Sequence, residues 1–135
     1  MTERTIKIPG PDHPITIERN PNRVIVKAGG LVIANTSSAL TLRESRYPPV
    51  QYIPRSDVDM AALDRSATKT FCPYKGEASY FSIPAGNQRS VDAVWTYETA
   101  YDAVAEIENY LAFYPERVDA IEEYAANASP TSSKE

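Results

Sequence analysis

The stretch Arg23-Val24-Ile25-Val26-Lys27-Ala28-Gly29-Gly30-Leu31-Val32-Ile33-Ala34 decides the fold class. Its two halves are rich in Val and Ile, which suit a pleated, half-buried surface. Gly29-Gly30 accepts the positive φ angles that a tight hairpin turn demands. The stretch therefore reads as two antiparallel strands joined by a short turn.

Outward from this hairpin the same signals recur. On its N-terminal side Arg19-Asn20-Pro21-Asn22 is a turn, and Ile15-Thr16-Ile17-Glu18 alternates apolar with polar like a half-buried strand. Further back, Pro9-Gly10-Pro11-Asp12-His13-Pro14 is too proline-rich for regular structure and predicts an extended arm lying on the domain. On the C-terminal side Ala39 to Glu44 alternates again, with Leu40 and Leu42 inward and Thr41 and Arg43 outward. Tyr47-Pro48-Pro49 forces a corner, because proline bars the preceding residue from helix, and Val50 to Ile53 resumes a strand. Thr68, Thr70 and Cys72 share one face of a further strand, and after a turn at Pro73 to Gly76 the chain returns through Ala78 to Ile83. Val91 to Tyr97 reads as the last strand, with Val91, Ala93, Trp95 and Tyr97 on one face.

Two helices are expected. Ser56-Asp57-Val58-Asp59 has the spacing of a capped start and predicts a short helix near 56–64. Thr99 can cap a long helix near 99–114, in which Val104, Ile107, Leu111 and Tyr114 form an apolar stripe and which Pro115 stops. Val118 and Ile121 fit a short return segment, and residues 128–135 have almost nothing to bury and read as a disordered tail. The expectation is a mainly β (α+β) fold in a single domain over residues 1–127.

Composition narrows function by exclusion. At 135 residues the chain is long enough for a real core. Eighteen acidic and 14 basic residues leave a net charge of −4, so no general positive field draws a phosphate backbone and nucleic acid is not an expected partner. One cysteine cannot form an intramolecular disulfide, which fits a reducing compartment. Met1 to Pro9 contains no apolar run resembling a signal peptide, and no segment approaches the ~18 apolar residues of a membrane helix. A cytoplasmic protein without membrane contact is the expectation. A tetrahedral Cys/His zinc site needs more than one histidine and one cysteine, and the G-x-S-x-G, Walker and G-x-G-x-x-G motifs are absent. No metal or cofactor is expected.

The turn after Cys72 gathers the remaining chemistry. Lys75, three residues on, could stabilise a Cys72 thiolate, which makes these two the candidate catalytic residues; a buried, inert thiol is the plainer reading. No histidine stands nearby in sequence to act as base, and His13, on its proline-rich arm, lacks the rigid support a general base needs. Asp57-Val58-Asp59 would hold a metal only on a strand, where both carboxylates share a face; at a helix start they serve capping and the helix dipole. The broadest constellation is Arg43, Glu44, Tyr47, Tyr52, Arg55, Tyr74, Lys75, Tyr80, Trp95 and Tyr97. Such a set suits a small anionic or aromatic metabolite if its members converge on one pocket, with or without an accompanying reaction. The alternatives are a homodimerising or other interaction domain without a small ligand, and a Cys72-dependent thiol enzyme.

Glu44-Ser45-Arg46-Tyr47-Pro48-Pro49-Val50-Gln51-Tyr52-Ile53-Pro54-Arg55, then Cys72-Pro73-Tyr74-Lys75-Gly76, Val94-Trp95, Tyr97 and Tyr110-Leu111-Ala112-Phe113-Tyr114, occur in an order that resembles the bacterial and fungal domain of unknown function 427 family. The resemblance runs from about Pro9 to Ile121. It implies a small, stand-alone, β-rich domain closed by a C-terminal helix, with small twisted antiparallel sheets in a β-tent or barrel-like layout. The β-tent domains it is similar to carry two zinc-binding C-x-x-C knuckles, which this chain lacks, so packing must close the fold. The family is sometimes labelled nucleotidyltransferase-like; the Gly-Ser element that precedes a nucleotidyltransferase D-x-D is absent upstream of Asp57.

Overall fold

The computed structural model describes residues 6–86 and 90–126. The Arg23–Ala34 stretch forms the expected hairpin of β2 (Arg23–Ala28) and β3 (Leu31–Thr36), with Gly29 at φ 60° and Gly30 at φ 79°. Both central residues thus take the left-handed conformation that matches the turn to the twist of its strands. β10 (Ala120–Tyr124) pairs with β2 on the other side, so the return segment expected around Ile121 completes a three-stranded antiparallel sheet. A second sheet has the order β1 (Ile15–Arg19), β4 (Leu40–Glu44), β5 (Val50–Tyr52). The third is the four-stranded sheet β6 (Asp64–Cys72), β7 (Gly76–Ser82), β8 (Val94–Thr96), β9 (Leu111–Phe113). All pairings are antiparallel.

Because successive strand residues face opposite ways, the third sheet supplies two cores. Phe81, Val94, Leu111 and Phe113 pack with Val24, Val26 and Ile33 of the β2–β3 sheet. Ala78, Tyr80 and Ala112 point the other way and pack with Leu42 and Tyr52 of the second sheet. The two smaller sheets therefore cover opposite faces of the four-stranded one. Ile53, just beyond β5, exchanges two backbone hydrogen bonds of 2.8 Å with Leu111, which ties the second sheet to the edge of β9.

The expected long helix near 99–114 is not formed. Asp102–Ile107 is a 3-10 segment that buries Val104 and Ile107, Asn109 turns the chain at φ 67°, and Leu111–Phe113 becomes β9. The i, i+3 spacing of Val104 and Ile107 serves a 3-10 turn as well as an α-helix. Beyond it, pairing wins: β9 satisfies the open edge of β8 through Val94↔Phe113, Trp95↔Ala112 and Thr96↔Leu111. Nor is there a short α-helix near 56–64. Two single 3-10 turns, Arg55–Asp57 and Met60–Ala62, stand there without side-chain caps. Asp57 instead accepts a 2.6 Å bond from the Thr36 hydroxyl. The strand expected over Val91 to Tyr97 shortens to Val94–Thr96, with Asp92 at φ 53°. The three sheets do not close into a barrel among the described residues. The tail expected at 128–135 lies outside the described residues.

A Cβ on Gly29 would stand 2.1 Å from the Ala85 carbonyl oxygen, whereas one on Gly30 would meet nothing within 4 Å. Gly30→Ala should cost about 1–2 kcal/mol for the left-handed backbone alone. Gly29→Ala should cost roughly 1–3 kcal/mol more, as expected of overpacking against backbone that cannot yield. Urea unfolding of both variants measures the difference, and equal costs would contradict the close approach.

Candidate functional site

Register brings the site together. β1 and β4 pair with Ile15 opposite Glu44, so the end of the proline-rich arm lies beside the end of β4. The arm is held there by Ser45 N–H to Pro14 O at 2.8 Å and Lys7 N–H to Pro73 O at 2.9 Å. The β6–β7 hairpin, with Cys72 opposite Gly76 and Gly76 at φ 119°, turns Lys75 inward until it is only 7% exposed. Lys75 Nζ donates to Glu44 Oε1, and its ammonium also lies 6.0 Å from the centre of the Tyr97 ring. His13 Nε2 donates to the other oxygen of Glu44 at 2.8 Å, and the imidazole stacks on Tyr74 at 4.0 Å.

Glu44 and Lys75 open into a cavity of about 360 Å³. Its aromatic wall is Tyr47, Tyr52, Tyr80, Trp95, Tyr97 and Tyr114, with Leu42, Pro48 and Val50 completing it. Trp95 organises this wall. Its indole N–H donates to the Tyr52 hydroxyl at 3.2 Å, its ring meets Tyr52 edge-on at 6.2 Å, and it packs on Tyr114 at 4.5 Å. Aromatic contacts of this kind contribute about 0.5–1.5 kcal/mol each beyond burial. The Tyr80 hydroxyl is 2.8 Å from that of Thr70. The Tyr97 hydroxyl has no hydrogen-bond partner among the described residues.

The electrostatics follow from burial and pairing. Burial alone would raise the Glu44 carboxyl, but the hydrogen bonds and charges of Lys75 and His13 outweigh it and hold the group below its ordinary 4.5. Burial pushes the phenols of Tyr52 and Tyr97 well above their ordinary value, and at Tyr52 the Trp95 hydrogen bond opposes only part of this. Burial and the neighbouring Tyr80 hydroxyl push Tyr114 up to about 12. Tyr52, Tyr97 and Tyr114 thus present un-ionised phenols at neutral pH beside one internally neutralised ion pair.

Of the residues the sequence singles out, Glu44, Tyr47, Tyr52, Lys75, Tyr80, Trp95 and Tyr97 line this cavity. Tyr74 does not line it; it stacks on His13, which bonds to Glu44. Arg43 lines a larger neighbouring cleft. Arg55 lies elsewhere: it shares Glu98 with Arg65, at 3.2 and 2.7 Å, and both guanidinium groups lie over the Phe81 ring. Cys72 is free, half-buried and packed against the second core. Lys75, expected to stabilise its thiolate, is committed to Glu44. Asp57 and Asp59 belong to no metal-binding cluster among the described residues. His13, Leu42, Val50 and Tyr114 were missing from the expected set. His13 is visible only once β1 is paired with β4, and Tyr114 only once Leu111–Phe113 is a strand.

A small antiparallel β protein with a tyrosine-walled cavity is the class that this fold and site define. Residues 16–124 match the family described as Domain of unknown function (DUF427), and the chain belongs to it. No curated protein matches the chain. No helix among the described residues is long and apolar enough to cross a membrane.

The Glu44 shift has a definite sign. A carboxyl whose folded value lies below its unfolded one contributes its full stability above the unfolded value and loses it as pH falls through the folded one. Glu44→Met leaves Lys75 buried without its partner and should cost about 3 kcal/mol at neutral pH. In urea unfolding the gap between wild type and variant should persist down to the ordinary glutamate range near 4.5 and shrink only below it. A gap that closes between neutrality and that range would contradict the pairing.

Proposed function

We propose that the cavity at the junction of the second and third sheets binds a small, uncharged, planar aromatic molecule. The observation that carries this reading is the wall itself: flat rings and un-ionised phenols around a lysine whose charge Glu44 already neutralises. Aromatic faces favour a planar partner, and the phenolic hydroxyls offer donors to a carbonyl or hydroxyl on it. An anion is the weaker half of the original expectation, because the ionised Glu44 would repel it as Lys75 attracts it. A volume of about 360 Å³ falls at the small end of ligand pockets.

Trp95 is the chain's only tryptophan and stands in the wall, so its fluorescence reads the cavity directly. Benzamide should change Trp95 emission saturably, with a dissociation constant on the order of a millimolar for so small a ligand. Cyclohexanecarboxamide, which is not flat, and benzoate, which is charged, should each bind at least several-fold more weakly. Equal responses to all three, or none to any, would refute the reading.

The thiol-enzyme reading has less support. The Cys72 carbonyl accepts the Lys75 N–H at 3.2 Å, but no hydrogen bond reaches the Cys72 thiol among the described residues. Iodoacetamide should label it more slowly in the native protein than after unfolding; equal or faster native labelling would restore it as a nucleophile. The homodimer reading rests on Leu31 and Val32, half-exposed on the edge strand β3.

A further inference from the structure

Next to the tyrosine-walled cavity lies a larger cleft of about 1000 Å³, and the two share Tyr47, Pro48, Val50, Trp95 and Tyr114 as a common wall. The cleft is also lined by a polar network centred on Asn20, which is 6% exposed. Asn20 Nδ2 donates to Gln51 Oε1 at 3.0 Å and to Glu123 Oε2 at 2.9 Å, while its Oδ1 accepts the Asn22 N–H at 2.9 Å. Gln51 Oε1 also accepts the Thr41 hydroxyl at 2.9 Å, and Glu123 Oε2 also accepts Asn22 Nδ2 at 2.9 Å. One oxygen of each side chain is thereby occupied twice. The Gln51 amide N–H groups and Glu123 Oε1 make no bond to any other described residue, and both side chains line the cleft.

A held donor and a held acceptor lining the same cleft as aromatic rings are the chemistry that recognises a sugar ring. Vicinal hydroxyls each give and take a hydrogen bond, and the C–H face of the ring lies on an aromatic plane. A bare planar aromatic would leave the Gln51 and Glu123 groups unused. We infer that the cleft takes the sugar of a neutral aromatic glycoside whose aromatic ring occupies the smaller cavity, the polar network fixing the hydroxyls. This inference rests on the reading of the smaller cavity; Asn20, fully bonded, is a positioning residue.

Trp95 fluorescence titrations with phenol, methyl glycosides and phenyl glycosides of glucose, galactose, mannose and N-acetylglucosamine separate the two ideas. At least one phenyl glycoside should bind about tenfold or more tightly than phenol, because the two linked halves bind as one molecule. Gln51→Glu keeps the acceptor that Asn20 and Thr41 use but removes the donor. Glu123→Gln keeps an acceptor for Asn20 and Asn22 but replaces the free acceptor with a donor. Each variant should erase the gain of the phenyl glycoside over phenol and leave phenol binding unchanged. Phenol binding with no gain for any phenyl glycoside, or a gain that survives both substitutions, overturns the glycoside inference and spares the aromatic reading. Absence of binding by phenol and phenyl glycosides alike overturns both, whereas methyl glycosides binding as tightly as phenyl glycosides would refute the shared ligand.

Discussion

The four-stranded sheet must be covered on both faces, and the rest of the structure follows from that requirement. Its central strands carry large side chains on alternate positions: Phe81 and Val94 on one side, Tyr80 and Trp95 on the other. A strand apolar on both faces cannot stay open to water, so two further sheets are recruited. The two covers differ in chemistry. The β2–β3 side meets its partner with aliphatic side chains and Phe, and the core closes. At the β4–β5 side the interface is built of tyrosines and a tryptophan, Tyr52 from β5 against Tyr80 and Trp95 of the four-stranded sheet, rigid rings that pack without filling all the space between them.

The buried ion pair belongs to that second, looser interface. Lys75 and Glu44 come from different sheets, and their bond ties the β6–β7 hairpin to the end of β4. A buried pair of this kind adds little net stability over an apolar contact, yet losing one partner is expensive. Its consequence for the cavity is to supply hydrogen-bonding groups while contributing no net charge. Such a lining discriminates by shape and hydrogen bonding more than by electrostatic attraction.

How much of this was legible in the sequence depended on the range of the interactions involved. The Gly29-Gly30 hairpin and the turn at Pro73 to Gly76 were legible because their glycines declare their backbone needs locally. The convergence of Glu44, Lys75 and the aromatics could be expected from residue type, and the structure gathers most of that set at one cavity. The segment at 99–114 misled because Val104, Ile107 and Leu111 fit a helical period, while the hydrogen bonds that make Leu111–Phe113 a strand come from β8 and Ile53. His13 was discounted for lying among prolines; the β1–β4 register and the Tyr74 stack give it the support that its neighbours in sequence do not. Arg55 drew attention for its charge, which Glu98 engages. Local chemistry was legible; partners chosen across the fold were not.

Intermolecular nuclear Overhauser contacts between benzamide and the protein would test the central claim most directly, because they report where a ring sits and not only that it binds. Contacts from the ring protons to the Trp95 indole and the Tyr97 ring, with none to the Leu31 and Val32 methyl groups on the outer edge of β3, are the predicted result. Contacts confined to that edge, with the Trp95 indole N–H signal unmoved at saturation, would contradict it.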